Sequence, residues 1–569
     1  MMQRRHRPTV LEIDLGRGVL TAPPDNPLAA LRMLNAASMH ALRDGLRAAA
    51  KDERVAGLVV RVTDGGLGLA ELQELGQLVS EFGTHKPTVA WAESFGELGN
   101  AMGLYTLATH ANSVWVQPSG GVGLGGVHVG ITLLRGLLDK GGVEPQFAQR
   151  HEYKSAGEQF SAHEVSDANR EMTQRLADSI LEQCVETIAA NRHLGADRVR
   201  ELVDEAMFTP DEALAAGLVD HIGYRDEVYA HFLDQVNAAR DDLQFVHRYE
   251  NATAPRRQAQ KLLHRGAPLV GVVTLRGGIV TGRGRPGGPG GQDAGADVVT
   301  EHLRAACRDD RIKAVVLRIN SPGGSAVASD SIWRAVKQVR SSGRPVVAQM
   351  GPVAASGGYY AAMGADRIVA QPATLTGSIG VVAGKFVLSG TYDLLGLVHE
   401  GLDAGRHAGM LASDRGLSDE EWALLNAWLD QVYADFVAKA AEGRGMAVDE
   451  LEPLARGRVW TGRDAHERGL VDELGGFEQA VQQACELAGL RREGTETKQL
   501  PALGMLARFQ PANSSESLGG QGVVLPQVGP EAMLARCLSA AGLSALGLTS
   551  GGSGLQVGAL AMPWQFSVR

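Results

Sequence analysis

Short runs of apolar and β-branched residues alternate with longer helical patterns along most of the chain. The segments VAGLVVRV (55–62) and KAVVLRIN (313–320) are typical of buried strands, and an amphipathic helical pattern follows each of them. This alternation predicts parallel strand-helix units and therefore an α/β fold. The chain also holds 72 glycines, and many of them fall between the apolar runs, where strand-to-helix turns are expected.

The two halves of the chain repeat the same pattern in the same order. Gly65 lies 22 residues before Pro87, and Gly323 lies 22 residues before Pro345. Two longer segments further along also match each other, FTPDEALAAGLVDHIG (208–223) and WTGRDAHERGLVDELG (460–475). A fixed internal period of this kind predicts a tandem duplication. We expect an N-terminal repeat within 1–250, a C-terminal repeat within 251–500 and a Gly/Ser-rich tail over 501–569.

Two stretches interrupt the repeated pattern. Residues 241–266 (DDLQFVHRYENATAPRRQAQKLLHRG) are polar and are predicted to connect the repeats. Residues 281–297 (TGRGRPGGPGGQDAGAD) are too rich in glycine and proline for a helix or a central strand, so we expect a flexible loop. This loop lacks the G-x-x-x-x-G-K-[ST] pattern of a phosphate-binding turn.

Composition and charge exclude several classes of protein. With 44% hydrophobic residues, 21% charged residues and a net charge of -10, the chain is expected to be a soluble globular protein, and a nucleic-acid partner is disfavoured. The four cysteines lie far apart, so neither a disulfide framework nor a zinc site is indicated. The first residues have a basic start but no apolar h-region, so neither a signal peptide nor an N-terminal anchor is expected there. The uncharged stretch 538–568 is interpreted as a tail, with a membrane span as the less favoured alternative.

The repeats differ at positions that suit catalysis. Counting back 15 residues from the shared Gln-Pro pair gives Ser356 in the second repeat and Met102 in the first. Counting back 55 residues from the shared threonine of the longer matched segments gives Lys154 in the first repeat and Arg406 in the second. A desolvated lysine can act as a general base, whereas arginine stays charged. The pattern predicts one site that uses a serine from one repeat and a lysine from the other.

Each of these residues also has an ordinary structural interpretation. A serine at the start of a helix is commonly an N-cap, and most lysines lie on the surface. Ser378, 22 residues after Ser356, taken alone is an ordinary turn serine, and the first repeat has Leu124 at the matching position. The catalytic interpretation rests on the joint pattern of these positions.

Four motifs give the chain a resemblance to a known family. They are SPGG (321–324), ASGGYY (355–360), TGSIGV (376–381) and YKSAGE (153–158). With these motifs the chain resembles the bacterial signal peptide peptidases, also called protease IV, in their long, duplicated form. The resemblance implies an α/β fold of two tandem Clp protease/crotonase-like domains built from repeated ββα units. It also implies a serine endopeptidase that degrades short apolar peptides, such as cleaved signal peptides, with a Ser-Lys dyad split between the repeats.

The resemblance assigns a role to each candidate site residue. Ser356 is expected to be the nucleophile, Lys154 the general base and Ser378 the residue that orients the lysine. The oxyanion hole is expected to consist of the backbone N–H of Gly357 and that of Gly324 or Gly323. Neither a metal nor an organic cofactor is expected.

The resemblance further implies that the partners are peptide substrates and that the protein forms a homotetramer. It also implies association with the membrane, which is expected to be peripheral for this chain. A cytoplasmic location is the alternative. Two other functions stay open at this point. A crotonase-like acyl-CoA enzyme would use the same fold and the same oxyanion amides, and a non-catalytic scaffold would keep the fold alone.

Overall fold

The structure is a computed structural model that describes residues 8–21, 37–97, 99–262, 266–284 and 293–500, together with three short strands of the tail. Contacts divide the chain into two compact units. The first takes in Met1–Val129 and Ala177–Gly266, and the second takes in Gly130–Leu176 and Ala267–Phe566. The segment that carries Lys154 therefore belongs to the second unit, although it lies in the first sequence repeat. The predicted boundaries at residues 250 and 500 describe the repeats of the sequence and not the compact units. No observation tests them, so they stay a prediction.

The first unit is built on a six-stranded sheet in which every pairing is parallel. Its strands, in spatial order, are His221–Ile222, Ser113–Val116, Thr88–Ala92, Val55–Arg61, Thr9–Asp14 and Leu243–Phe245. The central strand Thr88–Ala92 is buried at all five positions, as expected for a parallel sheet that is covered on both faces. The helices assigned to this unit are Met39–Ala50, Leu69–Gly83, Met102–Ala108, Ala196–Glu205, Pro210–Ala215, Arg225–Gln235 and Val246–Leu262.

The prediction of a polar connection over 241–266 is wrong over most of its length. Leu243–Phe245 is an edge strand that pairs in parallel with Thr9–Asp14, and the helix Val246–Leu262 follows it directly. The buried Tyr249 on this helix donates a 2.8 Å hydrogen bond from its hydroxyl to Asp52 Oδ2. A few apolar and aromatic residues among many polar ones are therefore enough to pack this stretch against the first unit.

The second unit contains an eight-stranded sheet. Its main path runs through Val459–Thr461, Leu375–Gly377, Val346–Ala355, Ile312–Ser321, Leu269–Arg276 and Glu496–Gln499, with Arg367–Ala370 and Glu473–Leu474 branching from it. The long strand Val346–Ala355 pairs with Arg367–Ala370 along its first half and with Leu375–Gly377 along its second half. Because Leu375–Gly377 pairs with the second half of Val346–Ala355, the strand stays paired up to the residue before Ser356.

Smaller pairings complete the second unit. Glu144–Gln149 pairs antiparallel with Val382–Val387, and a four-stranded sheet has the order Asp293–Gly295, Gly278–Val280, Gly323–Gly324 and Leu560–Ala561. The helices of this unit are Arg135–Lys140, Glu158–Ser161, Ala296–Arg308, Ala326–Ser341, Gly357–Ala362, Ser389–Leu394, Asp419–Arg444, Val448–Leu451, Gly462–Glu467 and Phe477–Leu487; Asp167–Arg192 begins here.

Two regions named from the sequence fall partly outside the described residues. The loop predicted over 281–297 ends in the short edge strand Asp293–Gly295, while residues 285–292 lie outside. Most of the tail predicted over 501–569 also lies outside, apart from the strands Leu548–Ser550, Leu555–Val557 and Leu560–Ala561. In the part of the chain that the structure describes, no helix has both the length and the apolar composition that crossing a bilayer requires.

Candidate active site

Ser356 lies at a sharp turn between a strand and a helix. The strand Val346–Ala355 ends immediately before it, and the helix Gly357–Ala362 begins immediately after it. Its backbone angles are φ 54° and ψ -114°, which are unusual for a residue with a side chain and cost about 1–3 kcal/mol. The Ser356 N–H donates a 2.8 Å hydrogen bond to the carbonyl of Gly377. The side chain makes no capping hydrogen bond, so capping does not account for this serine.

Lys154 reaches the same place through a separate pair of strands. The strand Glu144–Gln149 pairs antiparallel with Val382–Val387, which follows the turn that carries Ser378. One residue beyond the first strand, the N–H of Arg150 donates a 3.0 Å hydrogen bond to the carbonyl of Val381. These pairings hold the lysine-bearing segment against the glycine turn of the second repeat.

The three side chains predicted to act together are in contact. The Nζ atom of Lys154 lies 2.8 Å from Ser356 Oγ and 2.9 Å from Ser378 Oγ. The carbonyl oxygen of Ser378 accepts a further hydrogen bond from the same Nζ at 3.0 Å. All three residues have no exposed surface. The structure therefore brings Ser356, Lys154 and Ser378 into one buried cluster within the second unit.

The surroundings of Lys154 disfavour its charged form. Burial holds the pKa of its ammonium well below the ordinary value of 10.5. The atoms that contact Nζ are two hydroxyl oxygens and one carbonyl oxygen, and within the described residues no carboxylate forms an ion pair with it. A neutral amine next to a serine hydroxyl is the arrangement that a general base requires.

Two glycines make room for the buried lysine. A Cβ atom on Gly457 would lie 2.5 Å from the backbone nitrogen and from the Cβ atom of Lys154, and Gly457 has a positive φ of 81°. A Cβ atom on Gly380 would lie 2.7 Å from the Cα of Gly457 and 3.3 Å from Lys154 Cδ. Sequence reasoning missed both residues, because neither the spacing nor the repeat comparison relates them to residue 154.

The glycines predicted to form the oxyanion hole lie close to one another. A Cβ atom on Gly357 would lie 3.2 Å from the backbone nitrogen of Gly324 and 3.2 Å from the Cα of Gly323. The Gly323 N–H donates a 3.2 Å hydrogen bond to Ser321 Oγ. Gly324 has a φ of 153°, and a Cβ there would lie 2.1 Å from the carbonyl oxygen of Ile279, so the position needs glycine. The N–H of Gly323 is therefore already bonded to Ser321, and the backbone nitrogen of Gly324 lies beside Gly357.

The matching positions of the two repeats have different surroundings. Met102 and Leu124, which correspond to Ser356 and Ser378, are buried in the apolar core of the first unit. Arg406, which corresponds to Lys154, has a side chain that is 77% exposed. The counterparts therefore form packing and surface contacts of their own and no second serine-lysine cluster.

Two ion pairs hold the segment after Lys154 in place. The sequence analysis did not predict either of them. On the helix Asp167–Arg192, Arg175 donates two hydrogen bonds, of 2.7 and 3.1 Å, to the carboxylate of Asp464, which has no exposed surface. Glu171 accepts two hydrogen bonds from Arg458, at 2.7 and 3.0 Å. No sequence signal pairs these residues, because they are almost 290 positions apart.

Both repeats of the chain match models of known protein families. The family model described as "Peptidase family S49" matches residues 81–239 and 338–491, which together make up more than half of the chain. The chain belongs to peptidase family S49. A second model, described as "Clp protease", matches residues 289–375. The two S49 matches fall in the two repeats, so the predicted class of two tandem Clp protease/crotonase-like α/β domains is confirmed.

Named relatives agree with the assignment to family S49. "Serine protease SPPA, chloroplastic" of Arabidopsis thaliana is 33% identical over 454 residues, which cover 80% of this chain and 66% of that protein. "Protease 4" of Salmonella typhi is 30% identical over 84% of this chain and 75% of its own length. "Protease 4" of Haemophilus influenzae is 28% identical over 79% of this chain and 72% of its own length. The chain is therefore a serine protease of family S49, and the resemblance to protease IV is confirmed.

Proposed function

We propose that the chain is an endopeptidase that degrades short apolar peptides, such as cleaved signal peptides, with Ser356 as nucleophile and Lys154 as general base. The observation that supports this most directly is the 2.8 Å separation of Lys154 Nζ and Ser356 Oγ at a site without exposed surface. The lowered pKa of Lys154 supports it further, because a base must be neutral before it can accept a proton.

In this mechanism Ser356 Oγ attacks the carbonyl carbon of the scissile peptide bond, and its proton passes to the neutral Nζ of Lys154. The tetrahedral intermediate collapses as the C–N bond breaks, and Lys154 returns the proton to the leaving amine. A water molecule then attacks the acyl-enzyme ester and gives its proton to Nζ. Collapse of this second intermediate releases the carboxyl product, and Ser356 Oγ recovers the proton from Lys154.

The negative charge that develops on the carbonyl oxygen would be stabilised by the backbone N–H groups of Gly357 and Gly324. One such donor typically contributes ~10²–10³ in kcat, because it is oriented before the charge appears. Ser378 would orient the lysine, since its hydroxyl and carbonyl oxygens occupy two of the hydrogen-bonding directions around Nζ. The remaining direction of Nζ then faces Ser356.

We propose extended substrates over folded ones, because Ser356 has no exposed surface and a single extended strand needs less space to reach it than a folded surface does. We further propose, from the resemblance to protease IV, a homotetramer that acts at the membrane. A solution mass near 60.1 kDa under active conditions would contradict the oligomer. Recovery of all activity in the soluble fraction would contradict the membrane association.

Covalent labelling tests the dyad directly. The wild type, Ser356→Ala and Lys154→Ala are treated with a fluorophosphonate and examined by intact mass, with circular dichroism to check folding. Exposed positions supply the matched controls Ser331→Ala and Lys51→Ala. We expect a single adduct in the wild type and in both controls, and none in Ser356→Ala or Lys154→Ala. Labelling of folded Ser356→Ala, or unchanged labelling of Lys154→Ala, would overturn the proposal.

A further inference from the structure

The strand Gly323–Gly324 has a partner on each of its two edges. On one edge Ile279, in the strand Gly278–Val280, pairs with Gly324 in parallel. On the other edge the tail strand Leu560–Ala561 pairs antiparallel, with Ala561 opposite Gly323 and Leu560 opposite Gly324. A segment from the end of the chain therefore lies along the backbone of Gly323–Gly324, the strand that contains the proposed oxyanion donor Gly324.

A second contact fixes the tail close to this pairing. Leu548–Ser550 and Leu555–Val557 form an antiparallel pair, and Leu555–Val557 contacts the strand Val382–Val387. Only residues 558 and 559 separate Leu555–Val557 from Leu560–Ala561 along the chain. Since a short tether gives an attached segment an effective concentration on the order of mM, the tail strand competes strongly with a free peptide for the same edge.

A strand edge accepts one extended partner at a time, because its backbone N–H and C=O groups are saturated by a single strand. A substrate that presents its carbonyl oxygen to the amides of Gly324 and Gly357 must approach the edge that Leu560–Ala561 occupies. We propose that this edge is the docking surface for an extended peptide and that its resident occupant is the tail of the chain itself. Tail occupancy then limits access to Ser356. This inference rests on the proposed peptidase function.

The experiment uses the full chain with two prolines, Leu560→Pro/Ala561→Pro. Proline has no backbone N–H and a fixed φ, so the variant cannot form the strand pairing. The same dipeptide occurs at Leu534-Ala535, which provides the matched control Leu534→Pro/Ala535→Pro. Cleavage of a short fluorogenic apolar peptide and the rate of fluorophosphonate labelling are measured for the wild type and both variants.

We expect the apparent KM of Leu560→Pro/Ala561→Pro to fall by about 5-fold or more, because apparent affinity scales with the fraction of unoccupied edges. Its labelling should become faster, and the control should behave like the wild type. A synthetic peptide with the sequence of residues 553–566 should inhibit the proline variant competitively.

Equal KM values and labelling rates in the wild type and Leu560→Pro/Ala561→Pro would overturn tail occupancy and leave the peptidase function intact. Loss of the tail from the wild type but not from Ser356→Ala, seen by intact mass, would also overturn it, since the tail would then be a substrate and not a resident occupant. Absence of labelling in every folded variant would instead overturn the proposed peptidase function.

Discussion

Lys154 Nζ lies 2.8 Å from Ser356 Oγ, although 202 positions separate the two residues in the chain. Both side chains are fully buried, and both belong to the second compact unit. The lysine comes from a segment of the first sequence repeat that is joined to the second unit by the pairing of Glu144–Gln149 with Val382–Val387. The duplication therefore contributed a lysine and a serine from different copies to one buried cluster.

The first prediction concerns the pH dependence of activity. Since burial lowers the pKa of Lys154, kcat/KM should remain high at pH values where an ordinary lysine is protonated. On further acidification Lys154 takes up its proton, and log kcat/KM should fall with a slope of about 1. A pH-rate profile on a short peptide measures this. Lys154→Arg should be inactive at every pH, and an acid limb centred near 10.5 would contradict the prediction.

The same lysine should make stability depend on pH. The folded-state pKa of Lys154 is depressed, so between that value and the unfolded value of ~10.4 the unfolded chain binds more protons. Its contribution to the free energy of unfolding therefore rises with pH, by about 1.4 kcal/mol per unit. Lys154→Met has no buried amine, so at neutral pH we expect it to have a higher free energy of unfolding than the wild type. This difference between variant and wild type should shrink from neutral pH toward pH ~10. Urea midpoints at several pH values measure it.

The control for that comparison is Lys51→Met, at an exposed position. Its stability difference from the wild type should stay constant over the same pH range. A constant difference for Lys154→Met as well would show that the buried lysine keeps its proton.

Gly457→Ala should remove most of the activity. The added methyl would lie 2.5 Å from the backbone of Lys154, so the lysine must move, and a displacement of ~1 Å can reduce catalysis ~10²-fold. Gly445→Ala is the matched control, because Gly445 also has a positive φ, of 63°, but no atom within 4 Å of the added methyl. Both variants should lose stability, and kcat should fall only in Gly457→Ala. Equal kcat values for the two would contradict the proposed contact.

Ser378→Ala should lower kcat and leave KM nearly unchanged. The substitution removes the hydroxyl 2.9 Å from Lys154 Nζ but keeps the carbonyl contact at 3.0 Å, so the lysine retains part of its orientation. We expect a loss of ~10–10² in kcat, smaller than that of Ser356→Ala. Steady-state kinetics with Ser331→Ala as the control measures it. A kcat equal to that of the control would show that Ser378 does not orient the base.

Breaking the buried ion pair at Asp464 should destabilise the second unit. Arg175→Met removes two hydrogen bonds to a carboxylate with no exposed surface. Such a loss costs ~3–5 kcal/mol in a fully buried pair, and we expect less here because Arg175 is 33% exposed and Arg468 lies 3.9 Å from the same carboxylate. Arg175→Met/Asp464→Leu should recover much of the stability, because it removes the buried charge as well. Arg200→Met, which breaks an exposed pair with Asp197, is the control and should leave the urea midpoint unchanged. Equal midpoints for Arg175→Met and Arg200→Met would contradict this.

Local patterning made much of the fold predictable. Alternating apolar segments indicate the parallel strands and their helices, and comparison of the repeats identifies Ser356 and Lys154, because the two copies differ there while keeping the same spacing. These signals survive in the sequence because each depends on neighbours within one repeat or on a comparison between the repeats.

Other features arise only from packing between distant segments. Gly457 is required because the backbone of Lys154 passes beside it. Arg175 forms its ion pair with Asp464, which is 289 positions away in the sequence. The helix Val246–Leu262 contains Pro255 and many polar residues, so its composition favours a connection. The edge that pairs with Leu560–Ala561 is a pair of glycines, whose sequence carries no preference for any partner.

The order of the segments also determines when the site can exist. A ribosome adds ~5–20 residues per second, so Lys154 emerges about 10–40 s before Ser356. During that interval the growing chain holds Lys154 without Ser356, and Glu144–Gln149 still lacks the strand with which it pairs. In the proposed mechanism, a nascent chain therefore cannot attack the peptides around it before Ser356 has emerged.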